Sequence, residues 1–223
     1  EYDYGHWENT GLISVTGGSL TLGSSYSVDD TLDNWTNTGT ISATNTAVYL
    51  LGNITLADIG AFHRTGGSVT LEGTLNVSGG TVDTTSGEFQ NLTLDNATLE
   101  NATVLEGSGG QLMLTGYDTL INVVIEGGGL TVNGGSLTLV GTTTVAGGIT
   151  LVSGASLTLE NTTDLTQNIT LTGGTLTATT GSTGTLTVDS GVTVSGYGTV
   201  TVDPATIDNK GTMQASWTYE GQV

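Results

Sequence analysis

Residues 130–139 read Leu-Thr-Val-Asn-Gly-Gly-Ser-Leu-Thr-Leu, and residues 149–159 read Ile-Thr-Leu-Val-Ser-Gly-Ala-Ser-Leu-Thr-Leu. Each stretch holds two triplets in which one Thr sits between aliphatic residues, and a third copy follows at Ile169-Thr170-Leu171 and Leu176-Thr177-Ala178. The first triplets step by 19 and 20 residues, the second by 20 and 19. In a strand, neighbouring side chains point to opposite faces, so each triplet turns its aliphatic pair inward and its Thr outward. Short strands recurring at a steady period are the signature of one coil of chain stacked on the next. Leu137, Leu157 and Leu176 are expected to stack inside, with Ser136, Thr138 and Val140 outward on the first rung. Glycine-rich corners at 134–135, 147–148, 154 and 173–174 supply backbone freedom at the bends. Val145 and Leu165 mark a third, weaker strand per coil.

The predicted fold is therefore all-β: a single-stranded right-handed parallel β-helix, or β-solenoid, of roughly 20 residues per coil. Residues 1–223 form a single solenoid domain, since nothing resembling a linker divides them. Related triplets at Leu20-Thr21-Leu22, Val69-Thr70-Leu71, Leu92-Thr93-Leu94 and Val200-Thr201-Val202 extend the pattern both ways. About eleven coils at ~4.8 Å each predict a rod about 50 Å long.

A second repeat surrounds the tryptophans. Trp7-Glu8-Asn9-Thr10-Gly11 and Trp35-Thr36-Asn37-Thr38-Gly39 share one pattern 28 residues apart, and Ile207-Asp208-Asn209-Lys210-Gly211 repeats it with Ile for Trp. Asn-x-Gly before an apolar alternation reads as a turn feeding a strand. Ile59 to Val77 adds an aromatic rung around Phe62. These units, with Phe62-His63-Arg64-Thr65-Gly66-Gly67-Ser68-Val69 and the recurring Gly-Gly-Ser-Leu-Thr-Leu, resemble the repeats of secreted β-helices of the filamentous haemagglutinin and autotransporter-passenger type. The resemblance covers most of the chain and implies adhesins, surface fibres and biofilm components.

Composition narrows the partners. Two basic residues stand against 21 acidic ones, for a formal charge of −19. Phosphate backbones need a basic surface, so nucleic acid is excluded. No apolar stretch approaches the 18 residues of a membrane span. The absence of Cys, the acidity and the lack of a signal peptide before Glu1 fit a mature exported protein at the cell surface.

Candidate chemistry is sparse. A lyase site needs an acidic metal cluster beside a Lys or Arg, yet Arg64 and Lys210 lie 146 residues apart. Asp29, Asp30 and Asp33 form the best calcium candidate, as a cluster of hard oxygen donors, though the stretch reads more simply as a polar loop before a strand. His6 and His63 have no second His and no Cys nearby, so no transition-metal site is expected; His63 reads as a corner residue. Arg64 reads as a bridge between carboxylates of neighbouring coils. Eight of the 14 Asn residues begin an Asn-x-Ser/Thr acceptor: Asn34, Asn53, Asn76, Asn91, Asn96, Asn101, Asn161 and Asn168. A Thr-rich composition accounts for about half of these.

The functional expectation is a non-enzymatic extracellular structural protein, a subunit of a surface filament that self-associates end to end. Aromatic segments at the two ends, with Tyr2, Tyr4, Trp7, Trp217 and Tyr219, are the candidate assembly contacts. Surface glycans are candidate partners, and no catalytic residue or cofactor is assigned. The alternative is a carbohydrate-binding or polysaccharide-degrading β-helix using Tyr26, Tyr49, Tyr117 or Tyr197 along one groove. A third reading, an ice-binding solenoid with ladders of outward Thr, is disfavoured because Glu160, Val140 and Asp189 interrupt the faces.

Overall fold

A computed structural model of the protein describes residues 6–24, 35–160, 164–179, 185–202 and 206–216. The chain is a β-solenoid of about eight turns, almost without helix, whose parallel strands recur about 21 residues apart. Every strand-to-strand ladder among the described residues is parallel. Leu137 lies over Leu157, and Leu157 over Leu176, as the period requires. Rungs are therefore in register, and each inward side chain lands on the inward side chain of the rung below.

The first full rung is four-sided rather than three-sided. Its strands are Trp35–Asn37, Thr40–Thr44, Ala47–Leu50 and Asn53–Thr55. We number these sides one to four. On side one, a single helical turn, Leu56–Ile59, replaces the strand of the next rung. Thr55 caps it: its hydroxyl accepts from the Asp58 amide, while the Asp58 carboxylate accepts from the Thr55 amide at 2.8 Å. Above that turn, strands return with Thr81–Asp83, Thr103–Leu105 and Val124–Glu126. Thr144–Val145 and Asp164–Leu165 are the two-residue strands that Val145 and Leu165 predict.

Side two shrinks as the stack rises. It begins as five-residue strands, with Thr40–Thr44 paired to Ala61–Thr65. The next rung has only the short 3-10 turn Gly87–Phe89, whose Phe89 ring meets Phe62 edge-on at 6.3 Å. The following rungs reduce the side to a glycine corner. A Cβ on Gly147 would come within 2.4 Å of the Gly128 carbonyl oxygen, so the backbones touch where two side chains have no room. From there on the solenoid is effectively three-sided.

Side four is the most regular. It holds eight strands in one column, from Asn53–Thr55 through Thr74–Asn76, Thr98–Glu100, Tyr117–Ile121, Ser136–Val140 and Ser156–Glu160 to the second halves of Ile169–Thr179 and Thr193–Val202. Eight full turns plus a partial rung at each end replace the eleven predicted coils. The shortfall arises because several rungs are longer than twenty residues; Trp7 pairs with Trp35, a step of 28.

The core is a continuous column of Leu, Ile and Val, from Leu22 to Val194. Its widest part is the tryptophan rung. Trp7 stacks on Trp35 at 5.4 Å with planes 8° apart, and the buried Trp35 indole donates to the Leu51 carbonyl at 3.1 Å. Asn9 donates to the Asn37 side chain at 2.7 Å, and Asn37 donates to the Ile59 carbonyl at 2.9 Å. Gly39 completes the motif, since a Cβ there would strike the Gly11 carbonyl at 2.0 Å. The Trp-x-Asn-x-Gly repeat thus encodes a ring stack, an amide ladder and a close backbone approach. Trp35→Ala is expected to lower stability by about 3–5 kcal/mol, read as a drop in the urea midpoint. Trp7→Ala, at a half-buried position, should cost clearly less.

Candidate functional site

Charged side chains that could do chemistry do not converge among the described residues. Among the described residues, no three His, Asp or Glu side chains are grouped to hold a metal ion. The candidate calcium ligands Asp29, Asp30 and Asp33 lie outside the described residues. Arg64 is not a bridge between carboxylates. Its guanidinium donates to the carbonyls of Glu88 at 2.8 Å, Gln90 at 2.7 Å, and Gly66 and Gly67 at 3.1 Å. It pins the 3-10 turn onto the strand below, and burial lowers its pKa. His63 is not at a corner: it points outward from the middle of Ala61–Thr65, with Nδ1 3.4 Å from Glu88 Oε1.

Two carboxylates are buried in one rung, residues 103–121. Asp118 occupies an inward position, directly paired with Leu137 in the next rung. It accepts from the amides of Ala97 at 3.1 Å and Thr115 at 3.0 Å, and so ties together the bends that precede the side-four strands of two successive rungs. Burial outweighs these bonds and pushes its pKa up to about 6. Glu106 accepts from the Leu112 amide at 2.8 Å through Oε1, while Oε2 is buried without a partner and burial raises its pKa. Both acids face the core and tie down backbone, which is structural rather than catalytic geometry.

Most of the described glycosylation acceptors have structural work. Asn91, Asn96 and Asn101 have positive φ of 54°, 53° and 51°. Their five-residue spacing is that of three-residue strands joined by left-handed Asn corners, which Asn tolerates better than most residues. Asn101 donates to Asn76 at 3.4 Å and accepts from Asn122 at 3.2 Å, forming a ladder up the edge of the stack. Asn96 donates to Asp95, and Asn76 donates to Glu100 at 3.1 Å. Asn168 is exposed and accepts from the Thr193 amide. Asn34 and Asn161 lie outside the described residues.

Of the candidate assembly contacts, Trp7 is spent partly inside the molecule, on Trp35; Tyr2, Tyr4, Trp217 and Tyr219 lie outside the described residues, as does Tyr26. The other tyrosines do not share a groove. Tyr49 sits on side three between Thr21 and Thr70, Tyr117 on side four beside Ser136, and Tyr197 against Thr172. A shallow depression of about 450 Å³ on side four is lined instead by Asn53, Ile54, Thr55, Thr74, Asn76 and Glu100.

The outer surface of side four carries an unbroken threonine column. Thr74, Thr98, Thr119, Thr138, Thr158, Thr177 and Thr201 follow one another in register. Beside them runs Ser136, Ser156, Thr175 and Thr199, two residues earlier on each strand. The residues expected to break the array do not stand in it: Val140 and Glu160 form a third, outer column, and Asp189 follows the side-one strand Thr185–Val188. Two parallel columns are therefore sustained over four strands.

No family model matches the chain, and no curated protein or solved structure is similar to it above the level of chance.

Asp118 gives a test by pH. Its folded pKa of about 6 stands above the ~3.9 of an unfolded Asp, so its stabilising contribution is complete below pH ~4 and lost as pH rises through 6. The shift corresponds to about 3 kcal/mol at neutral pH. Urea unfolding of the parent should show a falling midpoint between pH 4 and 7, and Asp118→Asn should flatten that dependence.

Proposed function

We propose that the chain is a non-enzymatic structural protein, a β-solenoid unit of a cell-surface fibre that stacks end to end. The observation that carries this is the uncovered core at both ends of the described stack. Ile207 pairs with Leu186, which is 1% exposed, yet Ile207 itself is 41% exposed. Met213 pairs with Val194 at 4% and is 40% exposed. At the other end Ile13 is only half-buried, whereas its partner Ile41 is fully buried.

The terminal strands are also paired on one side only among the described residues. Leu12–Thr16 and Ser19–Leu22 have neighbours above, Thr206–Asn209 and Thr212–Ala215 have neighbours below. Strands paired on one side only, beside an open apolar column, accept another rung of the same kind. The charge of −19 works the other way on the flanks, because like-charged rods repel sideways. Growth along the axis without lateral clumping is the combination a fibre needs. The repeats' resemblance to secreted adhesins and surface fibres points the same way. Glu106 and Asp118 are bonded to backbone inside the core, which gives these two acids a structural role in the reading.

Ile207→Lys with Met213→Lys places charge on already exposed positions. Sedimentation velocity and negative-stain imaging of the full chain should show rods that lengthen with concentration, and the double variant should remain monomeric. Parent protein that stays a single short rod at the highest concentration would contradict the proposal.

A further inference from the structure

We propose that the hydroxyl-bearing wall of side four is a binding surface for the crystal face of ice. Its regular part has four strands and two columns, so it presents eight hydroxyl positions on a rectangular grid. The grid repeats every ~4.8 Å from rung to rung and every ~6.7 Å from one outward residue to the next along a strand. Both repeats lie near those of water oxygens on the prism face of hexagonal ice. The fit holds over the wall because the register is unbroken from Ser136–Val140 to the end of Thr193–Val202.

The chemistry of the grid agrees with its spacing. None of the hydroxyls in the two columns bonds to another protein group among the described residues, whereas Thr115, Thr172 and Thr179 return theirs to the carbonyls of Leu94, Leu151 and Leu159. The grid's hydroxyls are thus directed to whatever lies outside. Threonine is β-branched and stiff at χ1, so a stacked column sets methyl and hydroxyl groups in fixed rows and loses little side-chain freedom when water orders on it. Charge is nearly absent: in a chain of net charge −19, Glu160 alone stands on these four strands, at their outer edge. Strongly hydrated carboxylates would impose their own water structure, and the grid is free of them.

The same wall fits other occupants less well. Eight rungs by three columns measure about 38 Å by 13 Å, or roughly 500 Å² per partner, below the ~800 Å² a partner contributes to a standard stable interface. A second copy docked on this face alone is therefore disfavoured. A polysaccharide would be expected to stack its rings on aromatic side chains, and Tyr117 is the one ring aligned with the columns, below Ser136. The depression around Asn76 and Glu100 ends the flat region on the other side.

The test uses the full chain, labelled with a fluorophore, and a slowly growing ice hemisphere. The parent should be taken up into the ice and should hold ice growth below the melting point. Thr138→Tyr and Thr158→Tyr, which disturb the grid from the outside, should abolish uptake while circular dichroism stays that of the parent. Thr131→Tyr, at an exposed position on side three, should leave uptake intact. Exclusion of the parent from ice would overturn the proposal, as would uptake that survives both wall variants. Retention on cellulose or chitin that the wall variants lose, without uptake into ice, would also overturn it and assign the wall to glycans.

Discussion

In-register parallel hydrogen bonding between successive rungs is the constraint on which everything else here depends. Once Leu137, Leu157 and Leu176 must lie one above another, each rung has to return to the same place after about 21 residues. Variation in the path is then pushed to the corners. The core is a column rather than a ball, so every turn buries a similar share of apolar surface, and stability accumulates turn by turn from neighbour contacts. The same register arranges the outside: columns of like residues on the wall are a consequence of stacking, before they are anything else. Threonine pairs in adjacent strands contribute roughly 0.2–1 kcal/mol each, which favours such columns even without a ligand.

The cost of the register falls at the bends. Left-handed Asn residues, touching glycines and the capped turn Leu56–Ile59 are different solutions to one problem, turning the chain without leaving backbone N–H groups unbonded. At two corners the solution is ionic. Glu106 serves the Leu112 amide where the side-two strand has disappeared, and Asp118 serves the Ala97 and Thr115 amides at the corner between sides three and four; both bury a carboxylate, and both pKa values rise for that reason. Arg64 does the same with the opposite sign, gathering carbonyls from the 3-10 turn.

The regular half of the molecule was legible in the sequence. The triplet spacing predicted the pairing of the Ser136–Val140 and Ser156–Glu160 strands residue for residue; the tryptophan repeat marked two equivalent segments, though not that Trp7 would lie on Trp35. The four-sided cross-section of the lower rungs was not legible, because the helical turn on side one and the 3-10 turn and glycine corner on side two share no periodic signature. Asn91, Asn96 and Asn101 also have a backbone role that the acceptor motif does not announce, as left-handed corners between three-residue strands. The threonine columns were not legible because Val140, Glu160 and Asp189, which the sequence sets among the threonines, stand outside the two columns, and because steps of 24 residues, from Thr74 to Thr98 and from Thr177 to Thr201, hide the full column from a fixed period. Insertions at corners change the count along the chain without changing the register across it.

Register is therefore the claim to test, and the absence of cysteine makes a clean measurement available. Thr138→Cys with Thr158→Cys puts two thiols on adjacent rungs of side four, at the Cα separation of about 5 Å that a disulfide requires. Thr138→Cys with Thr177→Cys puts them two rungs apart, at roughly 10 Å. Mild oxidation followed by mass spectrometry should join the first pair within the monomer and leave the second pair as free thiols. Efficient joining of the second pair, or none in the first, would contradict the stack as described.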